Sequence, residues 1–322
     1  MTPTSLVDYG FDPDYQAVYD TAWRYARERL HPLAARMDRE DWFPDAEFRA
    51  MADAGLLGVT VPPVYGGAGM SVLAQCFICE AVSYWNHAIG ASLLASDNLC
   101  LDNLVRNANE EQRARYLPRF CDGSAIGALG MTEPGAGSDA LGSMATTARR
   151  DGDAYVLDGR KLFITNGPVA DVLLVYAKTA PEKKQHGISA FIVEKTFPGF
   201  RVAQHLDKMG WRGSPTGELV FDQLRVPAAN LVGAENAGVG IMMSGLDLER
   251  VIGAFYGLGL AQRALDLSVE YATVRRQFGR PIGDFQLVQG MLADMYTDVE
   301  TIRALTYQVG REVTNLPPGA GG

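Results

Sequence analysis

The strongest constraint on the fold is a double change of periodicity. From Asp122-Gly123 to about Val232 the chain is a succession of short β-rich runs separated by Gly, Pro, Asn and Asp. The stretches on either side instead repeat their apolar residues at helical spacing. Runs such as Ala154 to Leu157, Lys161 to Thr165, Val172 to Ala177, Ile188 to Val193 and Glu218 to Phe221 lie too close together for βαβ units. A small barrel or sandwich between two helical blocks is expected. The fold class is mixed α and β: an N-terminal helical domain over residues 1–122, a central β-barrel-like domain over 123–233, and a C-terminal helical bundle over 234–322. A chain of 322 residues has enough material for two or three such cores.

In the first block, Pro13-Asp14 opens an amphipathic segment through Val18, Trp23, Tyr25 and Leu30 that should stop near His31-Pro32. A second helix is expected from about Pro44 through Phe48 and Met51 to Gly55. Ser71 stands where it could cap a helix from Val72 to about Trp85, and helices from Ala91 to Asn107 and Glu110 to Phe120 follow. The last block reads as a helix from Gly238 to about Thr273, a turn at Phe278-Gly279-Arg280-Pro281, and a helix from Phe285 to about Val313. The tail Leu316 to Gly322 reads as a linker or frayed end.

Bulk properties remove several functions. A net charge of -9 argues against nucleic acid as the main partner. No apolar run approaches a membrane span, and the start lacks the basic flank and apolar core of a signal peptide, so a cytoplasmic location is the default expectation. Cys76-Phe77-Ile78-Cys79 has the spacing of a redox or zinc half-site, yet it sits in an apolar helical run without a second pair. The four histidines are scattered, and no metal site is expected. No Gly-x-Gly-x-x-Gly follows a strand, which argues against a nicotinamide-binding unit.

Four stretches carry candidate chemistry. Met131-Thr132-Glu133-Pro134-Gly135-Ala136-Gly137-Ser138-Asp139 is either a wide surface turn or a loop whose glycines let backbone approach a flat or anionic ligand. Lys161-Leu162-Phe163-Ile164-Thr165-Asn166-Gly167 places an aromatic and a hydroxyl at a strand end, for core packing or for a ring system. Arg275-Arg276-Gln277-Phe278-Gly279-Arg280-Pro281 gathers guanidinium groups that suit a pyrophosphate or simply a solvated loop. In Met243-Ser244-Gly245-Leu246-Asp247-Leu248-Glu249-Arg250, three charges in four residues cannot share one helix face. Either they form a local solvated ion pair, or at least one points into a buried site, where a carboxylate becomes a better base at neutral pH.

Together and in this order, these stretches resemble the flavin-dependent acyl-CoA dehydrogenases, over nearly the whole chain as far as Phe285-Gln286-Leu287-Val288-Gln289. Leu206-Asp207-Lys208-Met209-Gly210-Trp211-Arg212-Gly213-Ser214 and Met243 to Arg250 most resemble the isovaleryl-CoA dehydrogenase branch. The resemblance implies FAD between the β domain and the C-terminal bundle. It implies that Leu129, Met131, Thr132, Gly137, Phe163, Ile164 and Thr165 bind the cofactor, with Phe163 where most relatives carry tryptophan. Arg275, Gln277, Phe278 and Gln286 would hold the FAD of a neighbouring subunit in a homotetramer or dimer.

Ser138, Asp247 and Arg250 would meet the acyl carrier, and Phe255 and Tyr256 would shape the acyl pocket, a buried Tyr256 requiring a hydrogen-bond partner. Glu249 would take the alpha proton of an acyl thioester while flavin N5 receives the beta hydride, with electrons passing to an electron-transfer flavoprotein. The Glu249 N–H and a ribityl hydroxyl would be the donors to the thioester oxygen, and Arg250 would bias Glu249 toward ionisation. Phe255-Tyr256 and Gly253 depart from the isovaleryl branch, which points to another short or branched acyl group, or to one on an acyl-carrier protein. The chain also ends at Gly322, where relatives continue with further bundle helices. The early end supports a second reading, a non-catalytic or half-active subunit completing a partner; a third, since some relatives use oxygen, is a flavin oxidase or monooxygenase on the same scaffold.

Overall fold

The computed structural model describes residues 3–315. Seven helices precede the sheet: α1 (Pro13–Tyr25), α2 (Ala34–Glu40), α3 (Asp45–Arg49), α4 (Val72–Trp85), α5 (His87–Leu93), α6 (Asn103–Asn107) and α7 (Glu110–Cys121). Helix α4 is predominantly apolar, with Gln75, Glu80 and Ser83 as polar exceptions, and is buried along its length from Leu73 to Trp85. It packs against α1 on one side and the long helix of the last block on the other. Cys76 and Cys79 belong to this core, and burial pushes the Cys79 thiol up to about 12. Ser71 stands at the N-cap position without capping, because its hydroxyl bonds to that of Tyr15 at 2.9 Å.

The helix expected to stop at His31-Pro32 does not stop there. A π-type stretch over Ala26–Leu30 and a 3-10 turn over His31–Leu33 carry the chain from α1 into α2. Pro32 is the second residue of that 3-10 turn, after the π-type stretch, so its missing N–H interrupts no regular α-turn and the rod runs on. A second and longer π-type stretch, Leu94–Asp102, joins α5 to α6, so the expected helix Ala91 to Asn107 is continuous but not regular.

The central domain is an eight-stranded sheet: β1 (Gly127–Gly130), β2 (Thr147–Asp151), β3 (Ala154–Thr165), β4 (Val172–Lys178), β5 (Ile188–Glu194), β6 (Phe200–His205), β7 (Thr216–Pro227) and β8 (Leu231–Val232), with the short helix α8 (Ala140–Ser143) after β1. The order is β6-β7-β3-β2-β4-β5-β8, with β1 lying parallel to β4. The runs Ala154 to Leu157 and Lys161 to Thr165 are one strand. Between them Gly159, at φ 156, absorbs a register shift against β7, where a side chain would strike Thr146.

The chain then forms α9 (Gly238–Val274), a two-stranded hairpin of β9 (Arg276–Gln277) and β10 (Arg280–Pro281), and α10 (Gln286–Asn315). Helix α9 crosses α4 with almost no gap: a Cβ on Gly259 would lie 2.4 Å from the Glu80 carbonyl oxygen. Arg303 of α10 reaches back to Glu80 of α4 at 3.2 Å, both ends being buried, so the two helical blocks share one core. Among the described residues no helix is long and apolar enough to cross a membrane.

Candidate active site

Where the sheet meets α9 and the Leu94–Asp102 stretch lies a cavity of about 210 Å³. Leu129 from β1, with Met131 and Thr132 just beyond it, and Phe163, Ile164 and Thr165 at the end of β3 form one side. Ala95 and Leu99 from the π-type stretch and Leu246 and Glu249 from α9 form the rest. Alternation along β3 would turn Phe163 to the same face as buried Lys161. A second register shift against β7, between Lys161 and Ile164, coincides with a left-handed Phe163 at φ 60 and leaves its ring 64% exposed. An aromatic held in that backbone region costs about 1–3 kcal/mol, which core packing does not require.

Asn166 fixes the strand end. At φ 62 it donates from Nδ2 to the carbonyls of Ser92 (2.8 Å) and Gly127 (3.1 Å), and its N–H donates to Pro215 at 2.7 Å. The β3 end, β1 and α5 are thereby joined behind the cavity.

The three charges of α9 separate as helical geometry demands. Arg250 Nη1 donates to Asp247 Oδ1 at 2.7 Å, an exposed i,i+3 pair on the solvent side. Glu249 points the other way, half-buried in the cavity wall, and no hydrogen bond or ion pair from the described residues reaches its carboxyl. Burial raises its pKa, and the Arg250 charge offsets this only in part. The Glu249 N–H is not available to a thioester oxygen: Glu249 lies inside α9, where each N–H is used by the carbonyl four residues earlier. That corrects the donor role expected from the resemblance.

Phe255 is also reassigned. It is fully buried among Phe77, Leu258 and Tyr307, stacked on Tyr307 at 5.7 Å between ring centroids, and it belongs to the helical core, not to a pocket wall. Tyr256 lies two turns from Glu249 on the same face of α9. It has the partner its hydroxyl requires, donating to the His87 carbonyl at 3.1 Å, and its ring meets Trp211 edge-on. Gly137 and Ser138 are exposed on the loop before α8, outside the cavity. Arg275, Gln277, Phe278 and Gln286 are exposed at the β9–β10 hairpin and the start of α10, Phe278 at 92%, and none lines the cavity of its own chain.

Sequence reading gave no role to Ala95, Leu99, Leu246, Glu133, Lys161 or Asn166. A lysine in an otherwise apolar strand, and an Asn-Gly pair at its end, were the available signals for two of them.

A cleft with aliphatic and aromatic walls, two threonine hydroxyls at its edge and a bare carboxyl at one end suits a flat redox ring with a substrate beside it. Two helical units and one β unit meet around this cleft, an arrangement suited to a flavoprotein oxidoreductase. Residues 12–124, 128–224 and 236–319 match, in turn, the N-terminal, middle and C-terminal domains of acyl-CoA dehydrogenases. The chain belongs to the acyl-CoA dehydrogenase family, enzymes that act on CH–CH groups with FAD as cofactor.

It is 46% identical to the mitochondrial isovaleryl-CoA dehydrogenase of Pongo abelii over 97% of this chain and 74% of the relative. It is 45% identical to a mitochondrial 2-methylacyl-CoA dehydrogenase of Solanum tuberosum over 97% of this chain and 75% of that one. The butyryl-CoA dehydrogenase of Megasphaera elsdenii, 34% identical, superposes with a TM-score of 0.92 over 96% of this chain and 82% of its own.

Proposed function

We propose that the protein removes the alpha proton of a short or branched acyl-CoA thioester with Glu249 as the base. The observation that carries this reading is the unpaired Glu249 carboxyl in the same cavity as the Met131–Thr132 and Phe163–Thr165 edges, with Arg250 diverted to Asp247. A carboxylate there meets little competition from water, so deprotonating a weak carbon acid costs less than it would in bulk solvent. FAD, when bound against Phe163, Ile164 and Thr165, supplies the hydride acceptor.

Leu246, Ala95 and Leu99 offer only aliphatic surface to the acyl group, which fits a short or branched hydrocarbon. Thr132 and Thr165 present hydroxyls that would orient the ring's polar edge. Ser138, Asp247 and Arg250 lie on the outside, where a long carrier arm would run. The exposed hairpin carrying Arg275, Gln277 and Phe278, with Gln286, would reach the FAD of a second copy in a homodimer or homotetramer. An electron-transfer flavoprotein is the proposed acceptor.

The test is Glu249→Gln, which keeps shape and removes the base. The variant should bind FAD as the parent does, yet fail to bleach the flavin band under anaerobic isovaleryl-, 2-methylbutyryl- or butyryl-CoA. Parent-like bleaching would rule out Glu249 as the base.

A further inference from the structure

Behind the cavity, away from solvent, lies an ion pair that the proposed chemistry does not use. Lys161 is 0% and Glu133 5% exposed, and Lys161 Nζ donates to Glu133 Oε1 at 2.8 Å. Two ions removed from water gain little net stability from one another, so stability alone is a weak reason to bury them. Their remaining bonds show what they hold. Nζ also donates to the Met131 carbonyl at 3.2 Å, and the Leu162 N–H donates to the Thr132 carbonyl at 2.8 Å. Both cavity-lining residues after β1 are therefore fixed from behind by β3.

The Glu133 carboxylate has a second task. It accepts from the Ala145 N–H at 2.6 Å and from the Thr146 N–H at 3.1 Å. Glu133 opens, and Ala145-Thr146 closes, the excursion that carries Gly137, Ser138 and Asp139. The carboxylate thus ties the neck of that loop. Burial pulls the Lys161 ammonium down to about 8 against the opposing pull of Glu133. Burial also works against the Glu133 charge, but Lys161 and the donors around it outweigh this and leave the carboxyl below its ordinary value. Both groups are charged at neutral pH.

We infer that Lys161 and Glu133 are positioning residues that lock the ring-facing edge Met131–Thr132 and the loop 134–144 into one rigid unit. The ring in the cavity and a thioester carrier seated on the loop are then held in fixed relation, which is where misplacement by about an ångström is expensive. The carrier half of this inference rests on the function proposed above; the cofactor half rests only on FAD occupying the cavity.

The experiment is the double variant Lys161→Met/Glu133→Gln, which preserves volume and leaves no lone buried charge. Its apoprotein should unfold cooperatively within about 3 °C of the parent. Its FAD dissociation constant should rise by about tenfold, and the bound flavin should lose the resolved shoulders of its visible band. An unchanged FAD affinity together with an unchanged spectrum would overturn the inference.

Should the double variant not fold, Glu133→Asp carries the test. It keeps both charges but, one methylene shorter, draws the carboxylate back from the Ala145 and Thr146 amides and from Lys161, while the Lys161–Met131 and Leu162–Thr132 bonds to the ring-facing edge stay. Its effect should fall on KM for the thioester, with FAD affinity held, and an unchanged KM would overturn the loop half. A parent protein that binds no FAD at all would instead sink the cofactor assignment, and one that binds FAD but oxidises no acyl-CoA would sink the proposed function.

Discussion

Gly259→Ala should destabilise the protein, whereas Gly257→Ala, two residues earlier in the same helix, should stabilise it. At position 259 a Cβ would fall 2.4 Å from the Glu80 carbonyl oxygen and 3.1 Å from the Tyr84 nitrogen. Both are main-chain atoms of α4 and cannot rotate aside, so α4 and α9 must part by nearly an ångström. Overpacking of this kind costs about 3 kcal/mol at the upper end of its usual range. The better helix propensity of alanine returns about 1 kcal/mol, leaving a net loss of about 2 kcal/mol. At position 257 a Cβ meets nothing within 4 Å and the residue is exposed, so only the propensity gain of about 1 kcal/mol remains.

For a chain of this size each kcal/mol shifts Tm by roughly 2 °C, so the two variants should differ by about 6 °C. The assay is thermal unfolding followed by circular dichroism at one fixed FAD concentration, because bound cofactor moves Tm by mass action. Because α9 also carries Glu249, Gly259→Ala should lower turnover as well. Equal melting temperatures for the two variants would refute the close crossing of α4 and α9.

Three other outcomes are expected. The acid limb of the kcat/KM profile should lie above the ordinary carboxylate range, because burial raises Glu249, and Arg250→Met should move that limb further up by removing the charge that lowers it; a limb at the ordinary value would remove the buried base. Phe255→Ala should cost about 3–5 kcal/mol in urea unfolding while leaving KM for the thioester unchanged, as befits a core residue. Asp97, fully buried and bonded to the Gly58 N–H at 2.7 Å, is pushed up by burial to about 7. Between about pH 4 and pH 7 the native state holds a proton that the unfolded chain has released, so this group makes stability fall as pH rises, by about 1.4 kcal/mol per unit, and Asp97→Asn should flatten that slope in paired melts.

Much of the architecture could be read from residue pattern because local and global preferences agree. Val72 to Trp85 is apolar over most of its surface and reads as an interior helix; the short runs from Ala154 to Phe221 read as closely connected strands. The pattern failed where one element hides a local irregularity. Pro32 ends a regular helix but not one that passes through a π-type stretch into a 3-10 turn, and Gly159 marks a bulge where a turn was expected. At the site, periodicity required Asp247, Glu249 and Arg250 to diverge, but the spacing alone could not say which faced inward. Phe163 was ambiguous for a different reason: its exposure comes from a single positive φ, which no alternation rule encodes. The Lys161–Glu133 pair is formed by residues far apart in sequence, and only the folded sheet brings them together.

The π-type stretch Leu94–Asp102 has an evolutionary consequence. Ala95 and Leu99 line the cavity from it, and their bearing depends on the slack that i→i+5 bonding puts into the rod. Deleting one residue there would let the rod relax to ordinary pitch, turning the wall by about 100° against whatever follows. Length variation in this segment is thus a route by which descendants of such a chain can reshape the cavity wall without a substitution among the residues that line it.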